Sequence, residues 1–138
     1  MTKRDDRKMI KTRVPIFTSE YHLTVVMGDH ESLAKYVAAN AEGWDYKKAL
    51  KQVRKCSGCA WNTLPDKNLF ITIDGCLSLD DALATISHEA VHAGLFLTEH
   101  LGIDDKTGEF VAHCVSAIFR GALKSILNGR TLTIATKP

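Results

Sequence analysis

Residues 78–102, SLDDALATISHEAVHAGLFLTEHLG, constrain the chain more than any other stretch, because they carry both ends of a long helix and a sorted interior. Ser78 can cap the start, with Asp81 three residues on as an aspartate version of the capping box. Gly102 follows the last turn, where a left-handed residue closes a helix. At about 100° per residue, with His88 placed at zero, Leu79, Leu83, Ile86, Ala90, Ala93, Leu97 and Leu101 fall roughly 140–220° away. Such an apolar stripe has to be covered by a sheet or by another helix.

The other segments supply both. Residues 21–27 (YHLTVVM) are rich in β-branched residues and stop at Gly28-Asp29, which predicts a strand. Residues 31–41 and the more polar residues 44–55 have helical periodicity and end at Gly43 and at the Ser-Gly of CSGC. CAWNT (59–63) and NLFITI (68–73) read as strands of a hairpin turning through LPDK. A last helix covers about 108–128, closed by Gly129. The order β-α-α-β-β-α-α predicts an α+β domain, a small, largely antiparallel sheet packed with helices.

With 138 residues, one domain is expected over 14–138, preceded by a flexible basic arm at 1–13. That arm carries six Lys/Arg against two Asp, and the remaining 125 residues carry twelve against fourteen. The body is therefore not a basic nucleic-acid surface, and contact with nucleic acid is not expected beyond the arm. No apolar run approaches the roughly 18–20 residues of a membrane span, and the charged start lacks a signal-peptide core. A cytoplasmic setting is expected, with host cytoplasm the setting for a phage-encoded chain, and the four cysteines read as thiols or metal ligands rather than disulfides.

The helix also contains HExxH, His88-Glu89-Ala90-Val91-His92. His92 lies about 40° around the helix from His88, so both rings leave one face, one turn apart and opposite the apolar stripe. Two imidazoles at i and i+4 can reach one tetrahedral Zn²⁺ at about 2.0–2.1 Å. Glu89 is displaced around the helix from that pair, where it suits a general base toward an attacking water better than a ligand. The bland alternative is a structural helix with two hydrogen-bonded histidines.

A catalytic zinc needs a third ligand and one open position. The metzincin continuation fails, because its glycine and histidine offsets hold Leu95 and Thr98. The next helix offers Glu109 and His113, again at i and i+4, and a hairpin through GIDDKTG would return that helix toward His92 and Leu95. Asp104 and Asp105 read as loop and cap residues, His100 as a favourable charge at a helix end, and His22 and His30 have no motif around them.

From Asn68 to Arg120 the chain resembles compact gluzincin-like zinc metallopeptidases, in particular small HExxH proteins encoded by bacteriophages. In those an apolar strand leads into a helix like TISHEAVHA, and an acidic residue opens the next helix in a pattern like E-x-x-A-aromatic. Here that pattern is Glu109-Phe110-Val111-Ala112-His113, with histidine in place of the aromatic residue. The resemblance implies His88, His92 and Glu109 as ligands of one catalytic zinc. It implies Glu89 as base, and a peptide or protein as substrate. His113 becomes a group behind the ligands or a donor to the transition state, with Arg120 and Tyr46 as further candidates for meeting an oxyanion. It also implies that Asn68, Leu69, Phe70, Ile71, Thr72 and Ile73 form an edge strand to which an extended substrate adds. The first 55 residues lie outside the resemblance.

Two rival functions stand beside this one. Metal-dependent endoribonucleases that process ribosomal RNA also pair histidines at i and i+4, but their third histidine shortly after a glycine is absent here. A non-proteolytic zinc-binding protein of a phage or mobile element, acting on a host partner, is the other. Cys56 and Cys59 of CSGC have zinc-knuckle spacing, so a second, structural ion is an alternative to a turn with ordinary thiols or a redox pair. Oligomeric state is not legible.

Overall fold

The computed structural model describes residues 9–16, 21–63 and 68–129. Four strands and four helices follow in the order β1 (Ile10–Ile16), β2 (Tyr21–Gly28), α1 (His30–Asn40), α2 (Tyr46–Lys55), β3 (Gly58–Trp61), β4 (Asn68–Asp74), α3 (Leu79–Leu101) and α4 (Glu109–Gly129). The α+β class is as predicted. The sheet has the order β1-β2-β4-β3. β1 pairs antiparallel with β2, β3 antiparallel with β4, and the central pair β2–β4 runs parallel.

Two differences from the sequence reading concern strands. Ile10–Arg13, assigned to a flexible arm, belong to β1, where Lys11 pairs with Val26 and Arg13 with Thr24. Residues 1–8 of that arm lie outside the described residues. β4 is not an edge strand: it is hydrogen-bonded to β2 on one side and β3 on the other. From Phe70 to Ile73 its backbone donors and acceptors are taken on both sides, so that stretch cannot accept an added strand, while Asn68 and Leu69 pair with β2. Among the described residues, the open edge on this side of the sheet is β3.

The helices start where the sequence provides caps. Asp29 accepts from Ser32 N at 2.7 Å, Asp45 from Lys48 N at 2.8 Å, and Ser78 from Asp81 N at 3.2 Å. Gly102 closes α3 at φ 67°, in the left-handed region that glycine enters without a Cβ penalty. The first turn of α4 is held by Asp105, whose two carboxylate oxygens accept from Phe110 N at 2.9 Å and Val111 N at 3.1 Å.

A helix pair covers each face of the sheet. Leu23, Val25, Met27, Leu69, Ile71 and Ile73 face α3 and α4, meeting Ile86, Ala90, Ala93 and Leu97 of α3 and Cys114, Ile118 and Ile126 of α4. Val26 and Phe70 face the other way, toward Leu33, Ala34 and Val37 of α1 and Ala49 and Val53 of α2. Trp61 joins this second core, stacked on Phe70 with ring centroids 5.8 Å apart, and donates its indole N–H to Thr72 Oγ1 at 3.0 Å. By length and composition, residues Glu109–Leu127 of α4 could also cross a membrane, which the sequence reading did not anticipate. Here the apolar side of α4 is committed to the core, with Ile118 and Ala122 buried.

Candidate metal-binding and hydrolytic site

The cap at Ser78 and the stripe from Ala82 to Leu97 fix the rotation of α3 against the sheet. The HExxH residues inherit their directions from that rotation. His88 and His92 leave the face turned from the core, and both are exposed. Their rings lie edge to face, with centroids 5.0 Å apart. Glu89, a quarter-turn round, is tucked in at 8% exposure, and its Oε2 lies 3.9 Å from His88 Nε2.

Glu89 and His88 open into a cleft of roughly 340 Å³ between α3 and the start of β3, lined also by Cys56, Ser57, Gly58, Ala84 and Thr85. Gly58 is there because the strand approaches α3 closely: a Cβ on it would fall 2.4 Å from Thr85 Cγ2. The cleft thus places a buried carboxylate, an exposed imidazole and the open edge of β3 side by side.

The cysteine pair borders the same region. Gln52 Nε2 donates to Cys56 Sγ at 3.4 Å, and Cys56 Sγ donates to Gln52 O at 3.5 Å. Burial, reinforced by the neighbouring Cys56 and by Glu89, pushes the Cys59 thiol up to about 11. Cys59 is therefore a neutral thiol near neutral pH, the opposite of an activated thiolate. Cys114 is buried between α3 and α4, where burial and then Asp105 raise it to about 11, and Cys76 is exposed.

Two of the three proposed zinc ligands stand together and the third does not join them. The two histidines share a face at the spacing one ion requires. Glu109 stands elsewhere. The hairpin seam is formed by Gly94 against Val111 and Cys114, since a Cβ at Gly94 would lie 3.3 Å from Val111 Cγ1 and from Cys114 Cβ. Glu109 precedes Val111 by about 200° of helical rotation, and His92 precedes Gly94 by the same angle, so both point away from the seam. Glu109 and His113 are exposed. Among the described residues no group of three or more His, Cys, Asp or Glu side chains is arranged to share one ion, the Cys56–Cys59 pair included.

The remaining candidates are placed as follows. Tyr46 belongs to α2, on the other face of the sheet from α3, which removes it as an oxyanion partner for this cleft. Arg120 is exposed, about three turns along α4 from Glu109. His30 Nε2 sits 3.4 Å from Asp74 Oδ2, and His22 contacts Arg13. Asp105 is the cap the sequence suggested.

A larger pocket, roughly 790 Å³, lies on the α1–α2 face of the sheet beside the β3 edge. Asn40, Glu42, Trp44, Gln52, Trp61 and Thr63 are among its lining residues. Sequence reasoning missed it, although two tryptophans 17 residues apart, flanking a helix and a strand, were a visible signal. Comparison with protein-family models, with curated proteins and with solved structures yields no match.

Proposed function

We propose that this chain is a zinc-dependent hydrolase of peptide bonds, with His88 and His92 as two ligands, Glu109 as the third and Glu89 as the base. One observation carries the reading: two exposed imidazoles one helical turn apart flank a carboxylate turned into a cleft under an open strand edge. A zinc ion there supplies Lewis acidity toward water and toward a carbonyl oxygen. For Glu109 to join the histidines, the first turn of α4 would have to give up the Asp105 bonds to Phe110 N and Val111 N that fix its rotation.

The protein's own groups carry the proton. Glu89 accepts a proton from the water that adds to the scissile carbonyl carbon. As the C–N bond breaks, it delivers that proton to the departing amine, leaving an acid and an amine. The substrate lies along β3, the open edge beside Glu89, in place of the β4 edge expected from sequence. Glu89→Gln is the test: zinc content unchanged and hydrolysis of a mixed peptide library lost. Full activity in that variant would refute the mechanism.

A further inference from the structure

We infer that the pocket on the far side of the β3 edge is a side-chain pocket for the same extended peptide, selecting an aromatic residue with a hydrogen-bonding tip, as in tyrosine. The inference rests on the strand-addition reading above and names the substrate's chemistry.

The ladder parity gives the first step. Asp74 N donates to Ser57 O at 2.8 Å, one register step beyond the Gly58–Ile73 pair. Pairs alternate in an antiparallel ladder, so Cys59 and Trp61 spend their N–H and C=O on β4, while those of Gly58 and Ala60 point to the open edge. A peptide strand would hydrogen-bond to Gly58 and Ala60. Its side chains would then alternate between the two faces of the sheet. Those level with Gly58 and Ala60 face α3 and the Glu89 cleft. Those level with Cys59 and Trp61 face α1 and α2, where both residues line the large pocket.

The lining sets the preference. Trp44 and Trp61 meet edge to face at 4.8 Å between centroids and give the wall a large aromatic body. Asn40, Gln52, Asn62 and Thr63 add uncharged hydrogen-bonding groups, and Thr63 Oγ1 is buried with no hydrogen-bond partner among the described residues. Glu42 is the one acid in the lining, and Lys48, outside the lining, has its Nζ 4.8 Å from the Trp44 ring centroid. Aromatic walls and uncharged amide tips, with a single acid among the lining residues, favour a ring ending in a donor over an aliphatic, acidic or basic side chain.

The chain has two tryptophans and both line this pocket, so intrinsic fluorescence reads its occupancy without reference to metal or hydrolysis. The test titrates full-length Glu89→Gln protein with capped pentapeptides Thr-Thr-X-Thr-Thr, exciting at 295 nm, with X as Tyr, Ala, Glu or Lys. The tyrosine peptide should perturb emission saturably and bind at least tenfold more tightly than the other three. N-methylation of the peptide amides that meet β3 should abolish this, and methylation of the alternate amides should not. Ala60→Pro, which removes only an outward N–H, should match the first result. Equal binding of the four peptides, preference for the charged ones, no binding, or indifference to both backbone changes would overturn the inference. Tyrosine-selective binding with no hydrolysis by the wild-type chain would instead uphold it and refute the peptidase reading.

Discussion

Gly121 on α4 faces Val14 on β1 so closely that a methyl on its Cα would lie 2.6 Å from Val14 Cγ2 and 3.3 Å from Cγ1. Ordinary carbon–carbon contacts lie at about 3.5–4.0 Å, so Gly121→Ala demands a displacement of about 1 Å. Val14 cannot easily provide it, being β-branched, 4% exposed and fixed in a strand. Overpacking of this kind costs about 1–3 kcal/mol, whereas replacing an interior helical glycine by alanine returns about 1 kcal/mol. The net effect is a loss of up to about 2 kcal/mol. In a Val14→Ala background the obstruction is gone, and the same substitution should stabilise by about 1 kcal/mol. The coupling in this double-mutant cycle is therefore about 1–3 kcal/mol, measurable from urea unfolding midpoints at constant slope. Stabilisation by about 1 kcal/mol in both backgrounds would show that β1 does not lie against α4.

Three further outcomes are expected. Trp61→Phe removes the donor to Thr72, whose side chain is 2% exposed, and should cost about 1–3 kcal/mol of unfolding free energy, more than the change in ring size alone. Asp105→Ala uncaps α4 and should cost about 1–2 kcal/mol, partly recovered by Asn, with circular dichroism reporting lost helix. At pH 8, iodoacetamide should label exposed Cys76 first and Cys59 and Cys114 last, because burial holds both thiols at about 11. These two raised values also predict a stability contribution that is complete below about pH 9 and lost as pH rises through about 11. Across that window the unfolded chain releases protons that the folded chain keeps. A Cys59→Ser chain should show a shallower alkaline fall in its urea midpoint, and an equal or steeper fall would count against this assignment.

Helices were the legible part of the fold, because their signals are local. Ser78 and Gly102 punctuate α3 in sequence and cap it in space, while the caps Asp29 and Asp45 of α1 and α2 emerge from the structure. β1 was misread for a physical reason. Lys11, Arg13 and Pro15 make IKTRVPI look like a charged tail, yet Thr12 and Val14 alternate with them, and charges with proline are what an edge strand carries. The place of β4 was half-written in its composition. Leu69 to Ile73 are apolar or β-branched without alternation and all buried, the signature of a strand covered on both faces rather than of an edge. Its partner β2 lies more than forty residues earlier, and such pairing leaves no local mark.

The site divides the same way. Helical period alone set His88 and His92 on one face and Glu89 displaced around the helix from them, since all three ride on one helix whose buried side was evident. Glu109 depends on how a second helix is rotated about its axis. That rotation comes from the Gly94–Val111 contact and the Asp105 cap, which no spacing rule reports. The Trp44–Trp61 pocket depends on α2 and β3 meeting across the sheet, a tertiary fact again.

The proposed ligands of one zinc ion are His88, His92 and Glu109. Elemental mass spectrometry on protein purified without chelators tests this assignment directly, applied to the wild-type chain, His88→Ala and Glu109→Ala, with circular dichroism confirming that each is folded. One zinc per wild-type chain and none in either variant is expected. Zinc retained at full occupancy in His88→Ala, or no metal in the wild-type chain, would contradict the assignment.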